Sequence, residues 1–134
     1  MRKHYTLAKA ERLKSRKGIE QLFKSGRTFT IYPFRTYYQY EEPDESSVQA
    51  GFGVSVKNVK KAVCRNRVKR LMKEAYRTQK NQLQELVLGR KGRLKLFFIY
   101  TSRDLPDHIL VSGKIDLILQ RLVKLIHEIP SSNT

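Results

Sequence analysis

The sequence predicts an α+β fold: one domain in which helices cover a single sheet as a two-layer sandwich. Its 134 residues suit one compact domain, and 40% of them are hydrophobic, enough for a core. Helical and strand patterns follow one another in the order helix, strands, helix, strand, helix. No internal repeat occurs, and no linker is long enough to divide the chain into two domains.

Residues 1–14 are polar and basic and are expected to be loosely ordered. Ser15 offers an N-cap, Ile19, Leu22 and Phe23 recur at i, i+3 and i+4, and Gly26 is a natural stop. Thr28 to Tyr40 is rich in Thr, Ile, Phe and Tyr, which favour strands, with Pro33 on an edge or dividing the stretch in two. Phe34, Tyr38 and Tyr40 share one face, and Arg35, Tyr37 and Gln39 the other. Glu41 to Ser47 reads as a solvated hairpin loop. It carries Glu41, Glu42, Asp44 and Glu45, so it should point away from any polyanion.

Gln49 to Val56 is the second clear strand. Phe52, Val54 and Val56 face one way, and Gly51, Gly53 and Ser55 the other. The glycines have two readings: close packing by another element, which the spacing favours, or a flat floor for an extended nucleic-acid strand. A helix follows over about residues 60 to 80. After the basic loop Gly89–Arg93, Leu94 to Thr101 is apolar on both faces, as in a well-covered strand. Ser112 then precedes a helical stripe of Ile115, Ile118, Leu119, Leu122, Leu125, Ile126 and Ile129, which Pro130 ends; residues 130–134 form a tail.

Charge narrows the function. Lys and Arg number 28 against 12 acids, a formal charge of +16. Such an excess opposes folding and points first to nucleic acid, then to an anionic membrane surface. The helix near residues 60–80 concentrates it. At about 100° per residue, Val68, Leu71, Met72 and Ala75 fall on one arc, flanked by Cys64 and Tyr76. Asn66, Lys69, Arg70, Lys73, Arg77 and Lys80 take the opposite arc, with Arg67 at its margin. Glu74 is the one acid from Arg65 to Lys80. A stripe of this kind repels itself unless a polyphosphate lies along it. Lys60 and Lys61 sit where the helix dipole disfavours cations, which suggests that they serve a partner.

Other chemistries find little support. The three histidines are scattered, and Asp104 and Asp107 flank Pro106 in a turn. No metal-ligand spacing, phosphate-cradling loop or nucleophile turn appears. The single cysteine, Cys64, forms no internal disulfide and fits a reducing compartment. No apolar run is long enough to span a membrane and the N-terminus has no apolar h-region, so the chain is expected in the cytoplasm.

Ala62 to Arg77, with its Arg65-Asn66-Arg67 triplet, closely resembles the signature helix of the bacterial ribonuclease P protein subunit. Arg12-Leu13-Lys14, Ile19, Leu22-Phe23-Lys24 and Gly26 agree at that family's spacing, as does the strand Gly53–Val56, so the likeness covers about residues 11 to 128. The resemblance implies the order α-β-β-β-α-β-α, with the signature helix in a left-handed βαβ crossover. It implies that the chain assists a catalytic RNA in the Mg²⁺-dependent removal of the 5′ leader from precursor tRNA. The chain would bind both RNAs, would not be catalytic alone, and would be monomeric without RNA; Mg²⁺ would be bound mainly by the RNA partner. Carried over by position, Arg65, Asn66, Arg67, Lys69 and Arg70 would contact the catalytic RNA, and Lys73 and Arg77 share their stripe. Phe23 matches an aromatic of the leader cleft, and Ile19 stands where many relatives carry a second one. Lys57 stands in a shortened turn where relatives often show a lysine pair; with Lys60 and Lys61 it completes the expected leader cleft. Two other readings stand beside this one: a ribosomal or ribosome-assembly RNA-binding protein with no processing role, and a protein that itself cuts RNA.

Overall fold

The structure, a computed structural model, describes residues 9–42 and 45–130 of the chain. A short 3₁₀ turn, Lys9–Glu11, leads to α1 (Arg16–Ser25), β1 (Arg27–Ile31), β2 (Phe34–Glu41) and β3 (Ser47–Val54). Then come α2 (Ala62–Gln79), α3 (Asn81–Gly89), β4 (Arg93–Tyr100) and α4 (His108–His127). The strands form one sheet in the order β1-β2-β4-β3. β1 and β2 form an antiparallel hairpin, β2 pairs antiparallel with β4, and β3 pairs parallel with β4. Parallel neighbours need a crossover, and α2 and α3 supply it.

One face of the sheet carries the core. Phe34, Thr36 and Tyr38 of β2, Val48, Ala50 and Val54 of β3, and Leu94, Leu96, Phe98 and Tyr100 of β4 are buried. They meet Val68, Met72, Ala75 and Tyr76 of α2, Leu83 and Val87 of α3, and a long stripe from Val111 to Ile126 of α4. α1 lies across the opposite face, where Phe23 touches Tyr37 and Phe97. Strand residues alternate between faces, so the core-facing neighbours Tyr38 and Phe98 fix which face α1 covers.

Ser15 caps α1 as expected, its Oγ accepting from the Gly18 N–H at 3.2 Å. The helix ends at Gly26 in extended backbone, its N–H donating to the Leu22 carbonyl at 2.8 Å, and a Cβ there would lie 2.5 Å from that oxygen, so the site suits glycine. The Tyr32–Pro33 step divides the Thr28–Tyr40 stretch into β1 and β2, one of the two arrangements Pro33 allowed. The acidic loop is described only in part, since Pro43 and Asp44 lie outside the described residues.

Four boundaries differ from the sequence reading. The basic helix stops at Gln79, and α3, read from sequence as no element, begins two residues later. Lys80 joins them in right-handed helical backbone with no side-chain cap, so neither a Gly nor a Pro marks the break. β3 ends at Val54, leaving Val56 exposed. α4 starts at His108 rather than near Ser112, because the Asp107 carboxylate accepts from the Leu110 N–H at 2.8 Å and acts as the cap. Residues 1–8 lie outside the described residues, but the rest of the segment expected to be loose is ordered. Leu13 is buried and donates its N–H to the Ala50 carbonyl at 2.9 Å, so the segment borders β3. Among the described residues, no helix is long and apolar enough to cross a membrane.

Candidate nucleic-acid interface

The first candidate surface is the outer side of α2. Val68, Met72, Ala75 and Tyr76 bury the opposite side, which leaves Asn66, Arg67, Arg70 and Lys73 exposed and Lys69 half-buried. Among the described residues, no acid pairs with Arg67, Lys69, Arg70 or Lys73. Three bases between Arg65 and Lys80, two of them from the predicted stripe, are engaged within the protein. Arg65 turns back to donate from Nη1 to the carbonyls of Val59 at 3.0 Å and Lys60 at 2.7 Å, tying down the turn that enters α2. Arg77 donates from Nε to Glu74 at 3.1 Å. Glu74 is thereby held below the ordinary carboxylate range, chiefly by that hydrogen bond. Lys80, placed on the wet arc by periodicity, is 0% exposed and pairs with Glu11. The helix breaks at Lys80, so the 100° advance no longer applies there.

The second surface is the sheet face beneath α1. Strand register places Tyr37, Phe97 and Gly51 in one row and Arg35, Ile99 and Gly53 in the next. Phe23 is 41% exposed, with its ring centroid 4.7 Å from Tyr37 and 5.2 Å from Phe97, edge-on to the latter. Ile19, one turn earlier on α1, is half-buried. Cβ atoms on Gly51 and Gly53 would lie 2.6 and 2.9 Å from the Phe97 ring. The glycines therefore admit an aromatic ring of the next strand, the packing reading, and that half-buried ring in turn belongs to a cluster whose exposed member is Phe23. Tyr37 and Phe97 are absent from the predicted set. Alternation along β2 had put Tyr37 on this face. Phe97 was hidden because β4 reads as apolar on both sides.

Lys57, Lys60 and Lys61 are exposed on the loop between β3 and α2, beyond the Arg35–Ile99–Gly53 row. The loop is fixed internally: Val59 is buried, the Ser55 carbonyl accepts from the Asn58 and Val59 N–H groups, and Asn58 donates to the Thr101 carbonyl. The predicted residues thus form two groups on different sides of the molecule, with Lys57, Lys60 and Lys61 in the connection between strand and helix.

Arg90, from the basic loop before β4, is structural. Its guanidinium donates to the carbonyls of Ile126 and Ile129 at the end of α4, lies 3.4 Å from Glu42 and sits over the Tyr40 ring. His108 and His127 are exposed on α4, and His4 lies outside the described residues.

The model of the family described as Ribonuclease P matches residues 7–106. A ribonuclease P protein component from Porphyromonas gingivalis is 33% identical, over 96% of this chain and 92% of its own length. Another from Chlorobium phaeobacteroides is 35% identical, over 92% and 88%. Among solved structures, the RNase P protein of Thermotoga maritima matches with a TM-score of 0.62 at 26% identity, covering 83% of this chain and 96% of that one. The Staphylococcus aureus RNase P protein shares the fold with a TM-score of 0.64 at 21% identity, over 84% and 95%.

Proposed function

This chain belongs to the ribonuclease P protein family, and from that premise we propose how its two surfaces divide the work. It is a protein component of ribonuclease P, a subunit of the tRNA-processing ribonuclease whose partner is a catalytic RNA. The outer side of α2 binds that RNA through Asn66, Arg67, Lys69, Arg70 and Lys73. The platform of Phe23, Tyr37 and Phe97, with Ile19 beside it and Lys57, Lys60 and Lys61 beyond, takes the single-stranded 5′ leader of precursor tRNA. Base stacking on such rings is worth about 1–3 kcal/mol per base and tolerates any sequence. Arg65 and Arg77 act as positioning residues, the first on the turn before α2 and the second on Glu74. The reaction's Mg²⁺ is assigned to the RNA partner; the acids beside the basic surfaces, Glu11 and Glu74, already face cations of this chain.

One observation carries this reading: four cations on one helix face, with no acid of the described residues against them. Each phosphate contact is worth roughly a four- to sixfold change in affinity at 150 mM salt. Replacing Arg67 and Arg70 together by Ala should therefore weaken binding of the catalytic RNA roughly 15- to 35-fold. Both side chains are exposed, so the melting temperature should hold. Unchanged binding, or an unfolded double variant, would overturn the assignment. Leader removal by the pure chain without RNA would overturn the division between protein and RNA.

A further inference from the structure

We infer that this chain carries a separate phosphodiester-binding pocket where the N-terminal segment meets α2, at the edge of the sheet. The inference rests on the reading of RNA binding above and joins Lys73 of the α2 surface and Gly51 of the sheet face to Arg12, Leu13 and Lys14, which neither surface includes. A pocket of about 150 Å³ opens beside β3. Arg12, Leu13 and Lys14 form one wall and Lys73 of α2 the other, with Ala50, Gly51 and Phe52 as the floor. Taking about 30 Å³ per water, the space corresponds to about five waters, enough for a phosphate group.

Three features suit it to an anion. Three cationic residues from two elements line one small volume. Among the described residues no acid pairs with Lys14 or Lys73, since Glu11 faces buried Lys80 and Glu74 faces Arg77. The floor also offers a backbone donor. β3 is an edge strand, and its Ala50 carbonyl accepts from Leu13 on the outer side. The two-residue period therefore points the Phe52 N–H to that same side.

The wall is also built to stay in place. Glu11 is anchored on Lys80, Leu13 is buried and bonded to Ala50, and Gln49 donates to the Ala10 carbonyl at 3.4 Å. Such anchoring holds Arg12 and Lys14 opposite Lys73 before any RNA arrives, which spares the ordering entropy of two long side chains. The phosphate belongs either to the catalytic RNA lying along α2 or to the leader leaving the platform.

The test uses the holoenzyme reconstituted from the full chain and its catalytic RNA, with Lys14→Ala and Arg12→Ala/Lys14→Ala variants and Arg67→Ala/Arg70→Ala as the control. Lys14 is exposed, so the single variant should melt like the parent; Lys14→Gln repeats the measurement with the aliphatic stem kept. Two affinities are read across a salt series: the protein for the catalytic RNA, and the holoenzyme for precursor against mature tRNA. A four- to sixfold loss at 150 mM salt on Lys14→Ala, with the salt slope reduced by about one, is expected in one of them. A loss in the first assigns the phosphate to the catalytic RNA, and a loss for precursor alone assigns it to the leader. If neither changes while the control loses its RNA, the pocket holds no phosphate and the inference fails alone. If the control is also unchanged, the reading of the α2 stripe fails with it.

Discussion

Tyr76 shows how a single side chain can oppose its own surroundings. It is fully buried among Phe52, Phe98 and the helices, and among the described residues its hydroxyl has no hydrogen-bond partner. Burial, with a smaller effect of Glu11, lifts its phenol well above the ordinary tyrosine value of 10. The folded state therefore favours the neutral phenol more than the unfolded chain does. This stabilisation is complete below pH 10 and is lost as the pH climbs towards the raised folded value. Tyr76→Phe should be neutral to about 1 kcal/mol stabilising at pH 7, since an unpaired buried hydroxyl is removed. It should also flatten the alkaline loss in part, because burial raises Tyr40 and Tyr100 as well. Denaturant melts at pH 7 and pH 11 check both effects. Gly51→Ala should do the reverse. Its Cβ would meet the Phe97 ring at 2.6 Å and the Leu13 carbonyl at 3.2 Å, so roughly 1–3 kcal/mol of stability should be lost in a denaturant melt. Leader affinity should fall with it as Phe97 shifts under Phe23. At this scale the stripe on α2 was legible because a helix repeats itself. Phe97 and Lys80 were not, because one lies on a strand without alternation and the other at a break without a breaker residue.

At the scale of elements, the turn between α3 and β4 stores backbone strain. Lys91 has a φ of 55°, the left-handed region that disfavours any residue with a Cβ. Lys91→Gly should gain roughly 1 kcal/mol of stability, read as a rise in denaturation midpoint, with RNA affinity close to the parent's. The N-terminal segment makes the opposite case. Its charge and polarity predict looseness, yet one buried leucine and one ion pair fasten residues 10–13 to β3 and Lys80. Glu11→Gln keeps the shape but removes the carboxylate facing a buried ammonium, so about 1–3 kcal/mol of stability should be lost. Protease cleavage should also quicken near Arg12. Sequence registers such a fastening poorly, because Glu11 and Lys80 are distant in the chain and each resembles a surface residue. The Ser15 cap, the β1–β2 division at Pro33 and the α4 stripe were legible because each depends on neighbours within a few positions. α3 was missed for want of any stop signal between Gln79 and Asn81.

Across the whole molecule, the charge of +16 has two consequences of opposite sign. Without RNA the positive groups repel one another and oppose the compact state. With RNA the same groups release counterions from phosphate. Counting every base from Arg65 to Lys80 would give seven contacts, but Arg65, Arg77 and Lys80 are engaged within the protein, leaving Arg67, Lys69, Arg70 and Lys73. Four neutralised phosphates give a slope of roughly −3 to −4 in log affinity against log salt, about two decades lost between 50 and 200 mM. Seven would give three to four decades, so the slope reports how many bases of α2 reach the catalytic RNA. The free protein should answer salt in the other direction. At 0.1 M the Debye length is about 10 Å, short enough to screen charges spread over several surfaces. Raising salt from 20 to 200 mM should therefore lift the melting temperature of the free chain by roughly 3–5 °C over the range in which RNA affinity falls. A melting temperature that stays flat would mean that ion pairs already balance the charge. A slope steeper than about −4 would bring further bases to the RNA, Lys14 of the pocket or the internally engaged bases of α2, and the Lys14→Ala variant tells the two apart.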